Sequence, residues 1–282
     1  NKPVDALYFN TQKALVVFAE TVQQSNQTTY ESDVDPLRRF LMEKSINSQM
    51  KITGAAEQKN SIVRFTNPTI QPCDTSPNFV IASIDIETGA KTNQLYSIAV
   101  HITGKNGEHK KVFMIGEKPK RDSELISFYN DERELLTNFF VWFKQIDPDI
   151  IIGWHVIGFD LLFLDNKCRE LGISLDIARA NGRVSIRQRK PSGHFISVTG
   201  RVVIDGPTML RASFFSFEDF KLETVAQELL GTGKTITPDE NKIEEIDRQF
   251  REDKFALAEY NLQDAVLVTD IFSKTGLIVL SV

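Results

Sequence analysis

Cysteine and long apolar runs are both scarce in this sequence. The 282 residues include two cysteines, Cys73 and Cys168. Two are too few for a disulfide framework or a zinc site built on thiolates, and they favour a reducing compartment. Apolar runs are short, such as residues 79–82 and 150–152, and none approaches the ~18 residues that a membrane-spanning helix needs. The sequence therefore does not fit a disulfide-rich secreted scaffold, and it predicts no membrane-spanning helix within these residues.

Neither sign of charge is in large excess. The chain has 38 acidic and 33 basic residues, which gives a formal net charge of −5. Taken alone, this weakly acidic balance argues against a nucleic-acid partner, because phosphate-binding surfaces are basic. With 41% hydrophobic and 25% charged residues, the composition is that of a folded globular protein, and a disordered chain is excluded.

The first part of the chain predicts a small α+β domain. Residues 4–9 and 14–18 are short apolar runs separated by polar residues, which favours two strands joined by a hairpin. Asp35-Pro36 then places a capping residue and a first-turn proline before a helix. Residues 67–77 carry three prolines and are expected to form a linker. We therefore predict an N-terminal α+β domain with its linker over residues 1–76 and a second domain over residues 77–282.

The second domain predicts a mixed α/β layer fold. Its apolar segments alternate between the period of strands and the period of amphipathic helices. Strands are expected over residues 79–87, 95–102, 111–115 and 150–152, with a strand pair over 184–189 and 195–204. Helices are expected over residues 132–146, 159–171, 220–230 and 253–272.

Two carboxylates lie two residues apart in the first strand of this domain. Asp85 and Glu87 share one face of the strand because side chains alternate with period two. Like charges ~4 Å apart repel by ~4 kcal/mol even at an effective dielectric constant near 20, and the strand carries no lysine or arginine. A divalent cation is the natural compensation. The alternative is that the strand ends early and both acids face solvent.

Three further residues can join such a site. Asp160 follows the apolar strand 150–152 and its loop, at the start of a helix, where it can serve a site or simply cap the helix. Tyr260 and Asp264 are four residues apart on the last long helix and share one face. The alternative for this pair is a boundary tyrosine and an exposed acid on an amphipathic helix.

The order of these residues resembles that of the DEDDy 3′→5′ exonucleases, and more closely the exonuclease region of family B DNA polymerases, in particular their bacterial members. The chain carries Asp85-Ile-Glu87, then Phe159-Asp160, then Tyr260-Asn-Leu-Gln-Asp264. Longer matching stretches are Ser83-Ile-Asp-Ile-Glu-Thr88, Asp147-Pro-Asp-Ile-Ile-Ile-Gly-Trp154, Leu222-Glu-Thr-Val-Ala-Gln-Glu-Leu-Leu-Gly231 and Leu37-Arg-Arg-Phe-Leu-Met-Glu43. The resemblance covers nearly the whole chain and implies a ribonuclease-H-like, mixed-sheet exonuclease domain behind the N-terminal α+β domain.

The resemblance also implies a two-metal hydrolytic site. Asp85, Glu87, Asp160 and Asp264 match the four carboxylates that hold two divalent ions, Mg²⁺ or Mn²⁺. Tyr260 is implied to orient the attacking water, and with an ordinary pKa near ~10 it suits that role better than that of a base.

Two neighbours of Asp160 are implied to contact the DNA strand end. Phe159 would lie beside the terminal base, and the alternative is that it belongs to the core. His155 stands where the family usually has asparagine, so strand binding at this position is expected to differ.

A basic segment suggests a second contact with DNA. Between residues 183 and 201 there are five basic residues and no acidic one, and on a strand pair they can contact phosphates; a solvated basic hairpin is an equal alternative. The DNA-binding candidates here are Arg183, Arg187, Arg189 and Lys190. By contrast, Gly231-Thr-Gly-Lys-Thr235 is not a phosphate-binding loop, because the glycine required before it is absent and a helix precedes it.

The sequence is expected to be part of a larger bacterial, cytoplasmic polymerase. It contains neither Asp-Thr-Asp-Ser nor Ser-Leu-Tyr-Pro-Ser, the polymerase signatures, so this chain alone is expected not to extend a primer. The implied partners are the 3′ end of single-stranded DNA, the palm, fingers and thumb domains, and a sliding clamp as a candidate; nucleoid association is a further expectation. The alternatives are a free-standing DEDDy exonuclease and a catalytically decayed nucleic-acid-binding module.

Overall fold

The chain divides into two compact units, Asn1–Pro77 and Asn78–Val282. The structure, a computed structural model, describes residues 3–47, 49–60, 62–75, 77–105, 107–117, 123–188, 193–232 and 242–281. The two units are described separately below.

The described residues of the first unit form two helices and two small antiparallel strand pairs. Strand β1 pairs with β4, and β2 pairs with β3. The predicted helix after Asp35 is confirmed, since the Asp35 carboxylate accepts a hydrogen bond from the backbone N–H of Leu37 at 2.9 Å. The elements are α1 (Gln12–Gln24), α2 (Pro36–Glu43), β1 (Met50–Thr53), β2 (Ala56–Lys59), β3 (Ile62–Phe65) and β4 (Thr69–Pro72).

The predicted hairpin at the start of this unit is wrong. Residues 3–9 form neither helix nor strand, and residues 14–18 lie inside α1. The Thr11 hydroxyl caps α1 by accepting a hydrogen bond from the N–H of Ala14 at 3.2 Å. Short valine-rich runs fit both periods, and here the cap residue settles the choice in favour of a helix.

The second unit is built on a six-stranded mixed sheet, as the mixed α/β prediction requires. The strand order is β12-β9-β5-β6-β7-β8. Strand β5 is parallel to β9 and antiparallel to β6, so it lies in the interior of the sheet. The strands are β5 (Ile81–Thr88), β6 (Leu95–Thr103), β7 (His109–Ile115), β8 (Ile126–Tyr129), β9 (Ile150–Gly153), β10 (Val184–Gln188), β11 (His194–Val198) and β12 (Val202–Asp205).

Helices cover both faces of this sheet. The even-numbered side chains of β5, such as Ile84 and Ile86, belong to an apolar core shared with α3 and α4. On the opposite face, Asp85 of β5 and Ser97, Ala99 and His101 of β6 lie against α8. The helices are α3 (Glu132–Ile146), α4 (Asp160–Glu170), α5 (Gly206–Ala212), α6 (Leu222–Leu230), α7 (Lys242–Glu252), α8 (Lys254–Thr275) and α9 (Leu277–Ser281). None of these described helices is both long and apolar enough to cross a membrane.

One predicted strand is two strands in the structure. Residues 184–189 and 195–204 are predicted to form a strand pair, and in the structure only the β11 part of the second segment pairs with β10. At Gly200 the backbone has a φ of 77°, a left-handed conformation that glycine adopts without a steric penalty. The chain turns there, and β12 joins the main sheet parallel to β9.

Candidate active site

Three carboxylates converge where β5 faces α8. Asp85, Glu87 and Asp264 each offer an oxygen, and these oxygens all lie within 4.8 Å of one another. Asp85 and Glu87 share a strand face because of the two-residue period. Asp264 reaches them from α8, where it lies one turn beyond Tyr260.

Small residues on the neighbouring strand leave room for this cluster. Asp85 lies opposite Ala99, and Glu87 lies opposite Ser97, in the antiparallel pairing of β5 with β6. Both Ala99 and Ser97 are fully buried. Their short side chains allow α8 to pack closely while the longer acidic side chains occupy the space between strand and helix.

Asp160 lies beside the cluster and is held by the backbone of β5. Its Oδ1 accepts a hydrogen bond from the N–H of Ile86 at 3.1 Å. The capping alternative is wrong, because α4 begins at Asp160 itself and its N-cap is Phe159, which makes no side-chain cap bond. Asp160 is 1% exposed and is not one of the three residues whose oxygens converge.

The environment of Asp160 disfavours its negative charge. Burial, and then the negative charges of Asp85 and Glu87, raise the pKa of Asp160 well above its ordinary value. Its Oδ2 is buried and has no hydrogen-bond partner among the described residues. A buried carboxylate oxygen without a partner is costly unless a proton or a cation satisfies it.

Tyr260 is buried against the same acids. It is 3% exposed. Burial first, and then the charges of Asp264, Glu87 and Asp85, raise the pKa of Tyr260 above its ordinary value. The hydroxyl therefore keeps its proton at neutral pH and can donate a hydrogen bond.

Sequence reasoning missed two polar residues that support Asp85. The Asn261 side chain donates from Nδ2 to Asp85 Oδ2 at 2.6 Å, and the Ser97 hydroxyl donates to Asn261 Oδ1 at 2.8 Å. Asn261 lies inside the Tyr260–Asp264 motif, so its presence on a packed helix was the available signal. Ser97 gave none, since a serine in a strand is common.

The carboxylates open into a cleft of about 890 Å³. Trp154 fixes one wall, because its indole N–H donates to the backbone oxygen of Phe220 at 3.0 Å. Phe159 lines the cleft and is 50% exposed, which contradicts the alternative that it belongs to the core. Arg211, which sequence reasoning also missed, lines the cleft with its guanidinium stacked 3.9 Å above the Phe220 ring.

His155 lies on the same cleft in an unusual backbone conformation. Its side chain is exposed, and its φ is 62°. Residues other than glycine rarely adopt this left-handed region, and asparagine, aspartate and histidine do so more readily than most. The backbone here therefore suits the asparagine that the family resemblance leads one to expect.

The basic segment is only partly placed. Arg183 and Arg187 are exposed near or on the β10–β11 hairpin. Arg201 is buried, donates to the backbone oxygen of Ile177 at 2.7 Å and pairs with Asp147 at 2.8 Å, so it is not part of a DNA-binding surface. Arg189 and Lys190 lie outside the described residues, as does the Gly233-Lys-Thr235 part of the rejected phosphate loop.

The donor set fits a divalent cation. Carboxylate oxygens are the ligands that Mg²⁺ and Mn²⁺ prefer. Three acids with converging oxygens, and the partnerless Oδ2 of Asp160 beside them, form an acidic cluster that can hold such an ion.

A mixed sheet with acidic side chains on its central strand, completed by an acid from a helix packed across it, defines the ribonuclease-H-like class of nuclease folds. A profile described as "DNA polymerase family B, exonuclease domain" matches residues 27–225. The chain belongs to the family B DNA polymerases and covers their exonuclease domain.

Individual relatives agree with this assignment. The chain is 37% identical over 280 residues to DNA polymerase II of Escherichia coli (strain K12), an alignment that covers 97% of this chain and 35% of the relative. It is 33% identical over 161 residues to a DNA polymerase of Archaeoglobus fulgidus, covering 56% of this chain and 19% of the relative. The chain therefore spans about a third or less of these relatives.

A solved structure shares the fold. The family B DNA polymerase of the hyperthermophilic archaeon Pyrobaculum calidifontis matches with a TM-score of 0.64 and 18% sequence identity. The match covers 94% of this chain and 34% of the archaeal chain.

Proposed function

We propose that this chain is the proofreading 3′→5′ exonuclease region of a DNA polymerase similar to bacterial DNA polymerase II. In the proposed reaction, water hydrolyses the terminal phosphodiester of a DNA strand and releases a nucleoside monophosphate. The observation that carries the proposal is the convergence of Asp85, Glu87 and Asp264 within 4.8 Å in an open cleft. Like charges this close repel one another, and a bound cation would offset the repulsion.

Asp85, Glu87, Asp160 and Asp264 would hold two Mg²⁺ or Mn²⁺ ions. Bound there, the ions would supply Lewis-acid stabilisation of the phosphate and of the leaving 3′-oxygen and would lower the pKa of water. Asp160 supports this assignment because its buried Oδ2 lacks a partner among the described residues.

Tyr260 orients the attacking water in this proposal. Its hydroxyl remains protonated because burial and the neighbouring acids raise its pKa. A neutral hydroxyl that donates to Asp264 can accept a hydrogen bond from the water and so hold the water's lone pair toward the phosphate, but it is too weak a base to take the water's proton.

The cleft rim supplies contacts for the strand end. Phe159 presents a half-exposed ring beside Asp160, and such rings stack on bases without sequence preference. His155 can donate a hydrogen bond to the strand. Arg183 and Arg187, together with Arg189 and Lys190, supply positive charge for phosphates farther along the strand.

The rest of the proposed protein lies beyond this chain. Palm, fingers and thumb domains would carry nucleotide incorporation, and a sliding clamp is a candidate partner of the whole enzyme. The location would be the bacterial cytoplasm at the nucleoid. The alternative of a free-standing exonuclease is less favoured, because both relatives named above are DNA polymerases.

A strand-shortening assay tests the proposal. The 282-residue chain is incubated with a 5′-labelled primer that carries a 3′ mismatch, in Mg²⁺ or Mn²⁺. A ladder of products shortened one nucleotide at a time is expected, because the label reports loss from the 3′ end. The ladder should disappear in Asp85→Ala. No shortening with either metal would overturn the proposal and favour the decayed module.

A further inference from the structure

Two consecutive hydrogen bonds connect Ser97 on β6, through Asn261 on α8, to Asp85 on β5. The Ser97 hydroxyl on β6 donates to Asn261 Oδ1 at 2.8 Å. Asn261 on α8 donates in turn from Nδ2 to Asp85 Oδ2 at 2.6 Å. Ser97 and Asn261 are both 0% exposed, so water does not compete for the bond between them.

The chemistry of the three side chains determines which group donates and which accepts in each of these hydrogen bonds. A carboxylate only accepts hydrogen bonds, so the amide must turn its NH₂ group toward Asp85. The amide oxygen then faces Ser97, whose hydroxyl is a donor that can satisfy it. If the amide were reversed, its oxygen would lie 2.6 Å from a carboxylate oxygen, which is a repulsive contact.

We propose that Asn261, oriented by Ser97, is a positioning residue that sets the rotation of the Asp85 carboxylate for metal binding. This inference rests on the proposed function, in which Asp85 is a metal ligand. The terminal torsion of an aspartate is soft, and one short bond to Oδ2 selects a single carboxylate plane. The amide is neutral, so it orients Asp85 without cancelling the negative charge that a cation needs.

Supporting bonds of this kind affect metal affinity measurably. Removing the partner of a ligating side chain typically lowers metal affinity by about 10- to 100-fold. A purely structural role predicts something else: Asn261 and Ser97 would then contribute to the folding free energy, and metal affinity would not depend on them.

The first test compares two serines by calorimetric titration of the 282-residue chain with Mn²⁺ in the absence of DNA. Ser97→Ala removes the donor that orients Asn261. Ser83→Ala is the matched control. Ser83 is also 0% exposed and lies on β5, and its hydroxyl has no hydrogen-bond partner in the described structure. We expect Ser97→Ala to weaken Mn²⁺ binding by about three- to tenfold, less than loss of a direct partner, and Ser83→Ala to leave it unchanged.

The second test removes the direct donor. Asn261→Leu keeps the branched shape of the side chain without its polar atoms and should weaken Mn²⁺ binding by about 10- to 100-fold. The Mn²⁺ concentration that gives half-maximal exonuclease activity should rise in parallel, while circular dichroism shows a retained fold. Ser97→Ala, a smaller change, decides the question if Asn261→Leu does not fold.

The outcomes separate this inference from the proposed function. If the wild-type chain binds Mn²⁺ and both Ser97→Ala and Asn261→Leu bind it equally well, the positioning role is overturned and the proposed function stands. Equal losses in Ser97→Ala and Ser83→Ala would also overturn it, since the effect would then be one of buried serines in general. If the wild-type chain neither binds Mn²⁺ nor shortens DNA, both proposals fail together.

Discussion

The Asp160 carboxylate accepts a hydrogen bond from the backbone N–H of Ile86, at 3.1 Å and across 74 positions of sequence. Ile86 is the residue between Asp85 and Glu87, and its own side chain points into the core on the opposite face of the sheet. The bond therefore fixes Asp160 beside the strand that carries the other two acids. An interior strand is a rigid support, and the acids gain a defined spacing from it.

Neutralising one acid of the cluster should lower exonuclease activity but raise the thermal stability of the metal-free chain. Asp264→Asn is expected to lower exonuclease activity by about 100-fold or more, since bound metals contribute several kcal/mol to transition-state stabilisation. In the presence of EDTA the same variant should unfold at a higher temperature than the wild type, because three like charges within 4.8 Å repel one another. Primer shortening and thermal unfolding measure the two effects.

Asp270 provides the control for this variant. It lies on the same helix and is exposed, so Asp270→Asn should change neither the activity nor the unfolding temperature in EDTA. Retained activity in Asp264→Asn would show that Asp264 is not a metal ligand.

Removing the Tyr260 hydroxyl should lower the rate of strand shortening even when Mn²⁺ is saturating. Tyr260→Phe keeps the buried ring and is expected to lower the maximal shortening rate by about 10- to 100-fold, because the water loses its orientation. The rate is compared at saturating Mn²⁺, because the hydroxyl is also hydrogen-bonded to Asp264 and its loss should weaken Mn²⁺ binding as well, which calorimetry measures separately. Tyr129→Phe is the control. It makes the same change in a ring stacked on Phe113, away from the cleft, and should leave the rate unaltered. Equal rates in Tyr260→Phe and wild type would rule out the orienting role of the Tyr260 hydroxyl.

The left-handed backbone at His155 predicts a gain from asparagine. His155→Asn should stabilise the chain slightly, because the short polar side chain of asparagine can hydrogen-bond to the local backbone at the φ of 62°, whereas the bulkier imidazole gains less there. Exonuclease activity on single-stranded DNA should be retained or raised. Chemical denaturation and the shortening assay are the measurements.

The same substitution at His109 is the control for His155→Asn. His109 is exposed in β7 and is not among the residues with positive φ, so His109→Asn should give no comparable gain in stability. A clear loss of activity in His155→Asn would show that the histidine itself makes a contact that asparagine cannot.

A buried histidine predicts a pH-dependent loss of stability. His101 is 3% exposed and is hydrogen-bonded to Thr269 on α8 and to Glu108, both at 2.9 Å. Burial is the main reason that the pKa of His101 lies below its ordinary value of 6.5. The unfolded chain therefore takes up a proton at higher pH than the folded chain does, and the free energy of unfolding falls as pH drops below about 6.5.

Replacing His101 should make the free energy of unfolding depend less on pH. Urea unfolding between pH 7.5 and 5.5 is expected to show a smaller decrease for His101→Gln than for the wild type. His109→Gln should keep the wild-type dependence, because the His109 side chain is exposed in the folded chain. If the free energy of unfolding falls equally with pH in the wild type and in His101→Gln, His101 does not contribute to the pH dependence of stability.

Sequence periodicity predicted much of the second unit. The helix over residues 132–146 has the predicted bounds, and strand β9 lies inside the sheet as its unbroken apolar run indicated. Both signals depend only on neighbours along the chain: apolar spacing in one case, a fully apolar run in the other. Periodicity failed at residues 4–9 and 14–18, where a capping bond from Thr11 decided the structure, and after Gly200, where a turn moved β12 to another sheet.

The sequence by itself determined which candidate side chains share a face: a two-residue period puts Asp85 and Glu87 on one strand face, and a four-residue spacing puts Tyr260 and Asp264 on one helix face. Only the tertiary structure decided how they meet. Asn261 reaches Asp85 across 176 positions because α8 packs on the face of the sheet that carries both acids. Local periodicity fixes the direction in which a side chain points relative to its own element, but the packing of one element on another fixes the distances that a metal site requires.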